Sequence, residues 1–300
     1  MIKALNEVNT AFVLVNYNGS SDTRECVESI QKMEAEAGVI IVDNASEKSD
    51  RESLKQIPYP QKLIYSKENL GFAGGNNLGI RYAIKQNIEN IILLNNDTVV
   101  TKDFLTLLRI DPEWGNVLLV PRMMYYSKPD IIWYAGGEFQ RFTGKAVHYN
   151  INKKIREQDL QSFYCTYATG CCMVVPAKVF KRAGLLDERY FMYCEDTEYC
   201  LRIVSSNIKI KYIGKAALFH KVSNSSGGEQ SPFSLYYMTR NRKLYLEDYK
   251  NNFSYCAIPL FFITRIFRII QYFLQSRSDL SKAVWDGIRD AEKKRYGKGY

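Results

Sequence analysis

The sequence predicts an α/β fold: a mostly parallel, mixed central sheet flanked by helices, followed by a C-terminal helical segment. Three observations carry this prediction. Short apolar runs of strand length alternate with longer helical stretches through the first third of the chain. Polar clusters follow successive runs, at Asn16-Tyr17-Asn18, Asp43-Asn44, Asn69 and Asn95-Asn96-Asp97; ligands of such sheets bind beyond the carboxyl ends of the strands. The chain has 300 residues, 46% hydrophobic and 24% charged, enough to bury one large core.

Ala11 to Asn16 (AFVLVN) reads as a buried strand stopped by Asn18-Gly19-Ser20-Ser21, with Ser21 or Asp22 positioned to cap a helix over Thr23–Ala35. Val39 to Val42 is a second strand and Lys62 to Tyr65 a third. The Gly-rich Asn69 to Asn77 then opens a helix that runs to about Gln86, and Ile91 to Leu94 is the fourth strand. Thr98 to Asp103 offers a helix start. Beyond it, Val117–Val120 and Ile208–Tyr212 read as strands, Trp133–Thr143 as a hairpin or loop around Gly136-Gly137, and Pro176–Ala183 and Asp196–Ser205 as helices. Ser223 to Gly228 reads as a polar loop. Ile258 to Leu274 is strongly apolar yet carries Arg265 and Arg268. It falls short of the about 20 residues of a spanning helix and fits a basic amphipathic helix in a membrane interface, with a core helix as the alternative.

The net charge of +9 suggests anionic partners. No helix-turn-helix, zinc-finger or RNP pattern points to nucleic acid. The 7 cysteines form no CxxC pair and only 2 histidines are present, so no zinc-type cluster is expected. Cysteines inside apolar strings such as Gly170-Cys171-Cys172-Met173 read as buried reduced thiols. With a start that lacks a basic region leading into an apolar one, they favour the cytosol.

Several residues carry candidate chemistry. Asp97, just beyond a buried strand, could hold Mg²⁺ or Mn²⁺, or simply form an Asx turn. The glycines of Asn69-Leu70-Gly71-Phe72-Ala73-Gly74-Gly75-Asn76-Asn77 would let backbone approach a phosphate, although neither a P-loop nor GxGxxG is matched. Glu195-Asp196, with Glu198 nearby, suits a general base in an aromatic setting, and equally an acidic helix start. His220 ends an apolar strand and is either structural or a ligand. Arg240-Asn241-Arg242-Lys243 is either a phosphate contact or a solvated helix face.

The ordered set Val15-Asn16-Tyr17-Asn18, Ile41 to Ser46, Asn69 to Asn77, Leu93 to Thr98, Ala135-Gly136-Gly137, Thr169 to Cys172, Gly184 to Glu188, Phe191 to Arg202 and Phe219-His220 resembles the family-2 glycosyltransferases. The likeness is to the bacterial branch similar to rhamnosyl- and galactofuranosyltransferases. It implies a GT-A type nucleotide-binding fold. Asp43 would bond the pyrimidine base, with Val15 and Tyr17 lining its pocket. Asn69, Gly71 and Asn77 would lie along the nucleotide. Asn95, Asn96 and Asp97 would occupy the DXD-like position, Asp97 and His220 holding Mg²⁺ or Mn²⁺. Asp196 would be the catalytic base, and Gly136, Gly137, Thr169, Gly170 and Glu195 would border the sugar or acceptor. Asn95 departs from the usual first carboxylate, Glu198 stands where relatives often carry Asp, and the arginine of some relatives' base pocket has no clear counterpart.

The implied activity is inverting transfer of a sugar, of rhamnose or galactose type, from a UDP or dTDP donor to a glycan or lipid-linked glycan in surface polysaccharide synthesis. The transferase domain is expected over residues 1–250. Residues 251–300 would form a helical segment on the inner face of the cell membrane. A metal-dependent nucleotidyltransferase and a non-catalytic nucleotide-binding or membrane-scaffold module are the competing readings. The former would attack phosphorus and wants a basic phosphate loop, where Lys67 is the nearby cation.

Overall fold

Helices on both faces of a sheet demand strands that are apolar on nearly every residue, and the N-terminal strands meet that demand. In the computed structural model, which describes residues 5–58, 62–222 and 231–300, β1 (Thr10–Asn16) and β2 (Gly38–Asp43) are buried almost throughout. They alternate with α1 (Ser20–Gln31) and α2 (Lys48–Lys55); β3 (Lys62–Tyr65), α3 (Gly71–Lys85) and β4 (Asn90–Asn95) complete the repeating half. Next come β5 (Thr98–Val100), α4 (Phe104–Arg109), β6 (Leu118–Tyr125), β7 (Lys128–Tyr134) and the small hairpin β8 (Gly137–Phe139) with β9 (Ala146–His148). Then follow β10 (Phe163–Cys165), β11 (Cys172–Pro176), α5 (Ala177–Ala183), α6 (Glu195–Ser205) and β12 (Ile210–His220). The chain closes with α7 (Pro232–Asp248), α8 (Ala257–Leu274) and α9 (Ser278–Glu292).

The sheet order is β10-β12-β6-β11-β4-β1-β2-β3, with β5 added to β12 and β7 to β6. β1, β2, β3, β4, β6 and β12 run one way, and β5, β7, β10 and β11 the other. The expected mostly parallel, mixed sheet is therefore present. Register brings the polar strand ends onto one edge: Asn16 pairs with Asp43, Asp43 with Tyr65, and Val15 with Asn95.

Four local expectations are corrected. Thr98–Val100 is strand, not helix start, because β12 extends to His220 and offers it an antiparallel partner. Neither Ser21 nor Asp22 caps α1. Gly19 occupies the cap, and the Asp50 carboxylate accepts from Ser20 N at 2.9 Å, a negative charge at the positive end of a helix. The helix α2 was not foreseen; it buries only Leu54, too little apolar surface for a periodic signal. The Arg240–Lys243 run is not a solvated helix face, since all four residues are buried. The polar stretch Ser223–Gly228 lies outside the described residues. All seven cysteines are free thiols.

The C-terminal helices pack as a unit. Leu235, Tyr236 and Tyr237 of α7 meet Tyr272 of α8 and Leu280, Ala283 and Val284 of α9, with Phe191 joining from the acidic loop. Helix α8 buries Ala257, Phe261, Arg265 and Tyr272. Its other side leaves Ile263, Ile266, Phe267, Ile270, Phe273 and Leu274 exposed, Phe267 by 68% and Leu274 by 77%. By length and composition alone, α8 also qualifies as a membrane-crossing helix.

Candidate active site

The cleft is built where strand ends meet the Gly-rich turn and the acidic loop. Asn16, fully buried, is a strut. Its amide donates to Ser46 Oγ (3.0 Å) and Asp50 Oδ2 (2.7 Å), and its carbonyl oxygen accepts from Thr23 Oγ1 (2.7 Å). Val15 is half-buried against Gly75, and Tyr17 is exposed at the rim. Asn44 ties β2 to the turn, donating to Asn69 Oδ1 and the Gly71 carbonyl at 3.0 Å each and accepting from Leu70 N at 2.9 Å. Asn69 Oδ1 also accepts from Gly71 N at 2.9 Å.

Asp43 is completely buried and accepts from Arg51 Nε at 2.6 Å and Ser46 N at 3.2 Å. Arg51 also donates to the Ser66 carbonyl and lies over the Tyr65 ring, 5.8 Å from its centroid. An arginine therefore does stand beside Asp43, contrary to the sequence reading. It comes from the unforeseen α2. The available signal was its position one turn into the charged run Lys48-Ser49-Asp50-Arg51, two turns after Asp43.

Gly71 has φ of +70°, and a Cβ there would collide with the Phe191 carbonyl oxygen. That carbonyl accepts from Phe72 N at 2.8 Å. The start of α3 and the acidic loop are thereby locked together, and only glycine fits the junction. Asn77 is spent inside the fold, donating to the Leu186 carbonyl (2.9 Å) and Glu188 Oε1 (2.8 Å) and accepting from Leu186 N (3.1 Å).

Asp196 sits in the first turn of α6 and is partly exposed. Its Oδ2 accepts from Tyr167 OH and Gly170 N, both at 2.9 Å, and its Oδ1 from Thr197 N at 2.6 Å and Thr197 Oγ1 at 3.2 Å. Such convergence of donors fixes the rotamer of a carboxylate. Tyr167 is itself placed by the hairpin, its backbone N donating to the Gly137 carbonyl at 3.2 Å. Gly136 and Gly137 thus support the hydrogen-bond partner of Asp196, with Thr169 buried beside it. Glu195 is buried, Oε2 has no partner among the described residues, and burial followed by the Asp196 charge raises its carboxyl well above the usual range. Glu198 faces away, paired with Arg202 at 2.8 Å and accepting from Tyr249 OH at 2.6 Å.

The loop before α6 is strained: Tyr193 and Cys194 both have left-handed φ, +65° and +69°, a conformation that costs energy for side chains of this size. Asn241 holds it there, donating to the Met192 carbonyl at 2.9 Å and the Tyr193 carbonyl at 2.8 Å. Arg240 Nε donates to Asn241 Oδ1 at 2.8 Å. Sequence reading missed this pair as site support because the run looked like a basic patch.

Asp97 and His220 come together through the β5–β12 ladder, with His220 Nε2 3.3 Å from Asp97 Oδ1 and Trp133 packed edge-on against the imidazole at 4.5 Å. Two donors in adjacent positions on an octahedral ion at about 2.1 Å lie about 3 Å apart, so the spacing fits shared coordination of Mg²⁺ or Mn²⁺. Among the described residues no group of three or more His, Cys, Asp or Glu could hold a metal; further ligands would come from a bound diphosphate and water. Asn96 is anchored to Thr23 Oγ1 at 2.9 Å, whereas the half-buried Asn95 amide makes no hydrogen bond among the described residues.

The mixed sheet with its strand-end cleft is a GT-A type fold. The family model for glycosyl transferase family 2 matches residues 11–184, more than half the chain, and the protein belongs to that family of glycosyltransferases. Among curated relatives, the low-salt glycan biosynthesis hexosyltransferase Agl10 of Haloferax volcanii is 29% identical, over 78% of this chain and 74% of its own length. The dTDP-rhamnosyl transferase RfbF of Shigella flexneri is 26% identical, over 94% and 96%. Of solved structures, the mannosyltransferase PcManGT of Pyrobaculum calidifontis in complex with GDP-Man and Mn²⁺ superposes with a TM-score of 0.58 at 10% identity, covering 98% of this chain and 90% of that one. S. aureus TarS 1-349 in complex with UDP gives 0.51 at 15%, over 80% of this chain and 65% of that one.

Proposed function

We propose that the protein is a metal-dependent, inverting glycosyltransferase that moves a sugar of rhamnose or galactose type from a UDP or dTDP donor to a hydroxyl of a lipid-linked glycan. The observation that carries the reading is Asp196: a partly exposed carboxylate oriented by Tyr167, Gly170 and Thr197. The same loop is joined through Phe191 to the Gly-rich turn. Asp196 takes the proton of the acceptor hydroxyl, whose oxygen attacks the anomeric carbon. The bond from that carbon to the diphosphate oxygen breaks, and its electron pair leaves with the nucleoside diphosphate. One displacement inverts the centre. Asp97 and His220 would hold the Mg²⁺ or Mn²⁺, which supplies charge neutralisation to the leaving group when bound. Asp43 with Arg51 supports a pyrimidine pocket, and the Asn95 amide, which makes no hydrogen bond among the described residues, supports contact with ribose or sugar.

The relatives named for dTDP-rhamnosyl transfer and glycan biosynthesis favour that donor and a polysaccharide product. The apolar outer face of α8, together with the net charge of +9, favours work on an anionic membrane surface. Residues 1–250 then act as the transferase domain and residues 251–300 as its membrane-facing part.

A panel of nucleotide sugars, with and without Mn²⁺, tests the reading by nucleoside-diphosphate release and thermal stabilisation. Asp196→Asn is expected to lower transfer by about 10²–10⁴-fold while nucleotide stabilisation persists. Asp97→Asn and His220→Ala are expected to raise the Mn²⁺ needed for that stabilisation. Release of pyrophosphate instead would sink the proposal in favour of nucleotidyl transfer.

A further inference from the structure

Two arginines of the C-terminal helices are buried without a counter-charge among the described residues. Arg242 of α7 and Arg265 of α8 are each only 7% exposed. Their guanidinium carbons lie on the same side chain, 5.6 and 5.8 Å from the centroid of the Phe261 ring. Arg242 Nη2 donates to the Thr143 carbonyl at 2.6 Å, and Arg265 Nη1 reaches Thr239 Oγ1 at 3.5 Å. The Nε atoms of both are buried with no partner among the described residues. Two exposed cations join them: Lys145 from the turn between β8 and β9, and Arg268, one helical turn beyond Arg265. The turn is docked on α7 by Tyr245 OH, which donates to the Gly144 carbonyl at 2.8 Å.

None of these four cations makes an ion pair among the described residues. Burial together with the neighbouring arginines pushes Arg265 down to about 10, and Lys145 is lowered by burial and by Arg242, Arg265 and Arg268. Buried like charges of this kind are costly unless an anion compensates them, and a guanidinium with free N–H groups is suited to phosphate. The place is informative. Arg242 is close enough to act electrostatically on Cys194, the residue before Glu195. Arg265 and Arg268 belong to the helix whose other side presents Ile263, Ile266, Phe267 and Ile270.

We propose that Lys145, Arg242, Arg265 and Arg268 form an anion site for the phosphate or diphosphate of a lipid-linked acceptor, whose hydrocarbon chain lies against the apolar face of α8. This rests on the transferase reading for the meaning of "acceptor", but not for the binding itself. The headgroups of an anionic bilayer share the chemistry, and the test separates the two sources.

Flotation is measured with three vesicles: phosphatidylcholine containing phosphatidylglycerol, the same with a few mole per cent of farnesyl diphosphate, and the same with extra phosphatidylglycerol of equal added charge. Farnesyl diphosphate is expected to raise partition about tenfold through charge-assisted hydrogen bonds to the guanidinium groups, and extra phosphatidylglycerol is not. Arg265→Gln and the exposed double variant Lys145→Ala/Arg268→Ala should each abolish most of the increment. The double variant removes no buried group, so its result stands even if Arg265→Gln fails to fold. An equal response to added phosphatidylglycerol, or variants that keep the increment, would overturn the proposal. Thermal stabilisation of the unaltered protein by UDP or dTDP with Mn²⁺ is read in parallel. If it is present while the vesicles show no increment, the anion site alone fails. If it is absent, the transferase reading fails and takes the acceptor assignment with it.

Discussion

Adjacent carboxyls in the first turn of α6 have opposite surroundings. Asp196 receives donors on both oxygens and is partly exposed, whereas Glu195 is buried with one oxygen lacking a partner among the described residues. Because the Glu195 carboxyl is raised in the folded protein, the native state binds its proton more tightly than the unfolded chain. The stability linked to that proton is complete below the ordinary carboxylate range and is lost as pH rises through and above it. Glu195→Gln keeps the shape and removes the titration. The variant is therefore expected to melt above the parent protein at pH 8, with the gap closing by pH 4. Calorimetric melts across that range check this, and a gap that widens toward acid would contradict it. Asp196 and its neighbours were legible as a motif. Glu195's isolation was not, because burial of an acidic side chain arises only when the whole fold packs around it.

The junction between the start of α3 and the loop before α6 is where elements constrain one another. Gly71 meets Phe191 with no room for a Cβ, so Gly71→Ala is expected to destabilise the protein by about 2–4 kcal/mol through strain at positive φ and the clash. Denaturant melts measure the cost, and residual activity should fall further than the folded fraction because the Asp196 loop shifts. Asn241 restrains the other end of that loop. Asn241→Ala removes two donors from a left-handed Tyr193-Cys194 pair and is expected to lower kcat with little change in donor KM. Strand identities were readable because burial on both faces imposes a continuous apolar run. The helix α2 was not, since an exposed helix that buries one leucine leaves no periodicity, and Arg51 went unrecognised with it.

At the scale of the whole molecule, the sheet brings the polar strand ends to one edge, and the last helices pack as a unit that leaves one apolar face of α8 exposed. In the proposed membrane contact, the exposed outer face of α8 would enter the headgroup layer without unfolding anything beneath it. Ile266→Glu/Phe267→Glu is expected to change stability by no more than about 0.5 kcal/mol, as exposed substitutions do, while abolishing co-sedimentation with anionic vesicles. Retained sedimentation would remove α8 from the membrane contact.

The sequence alone determined the alternation of strands and helices, the polar clusters at the strand ends, the family likeness and the amphipathic character of Ile258–Leu274. Each is written in local periodicity or contiguous motifs, which need no knowledge of distant partners. Only the tertiary structure decided that β5 is a strand delivering Asp97 to His220, that Arg51 stands on Asp43, and that Arg240 to Lys243 are buried. The pairing of β5 with β12 joins residues far apart in the chain. Charged side chains look the same in sequence whether water or a neighbouring helix surrounds them, and that difference arises only when the helices pack.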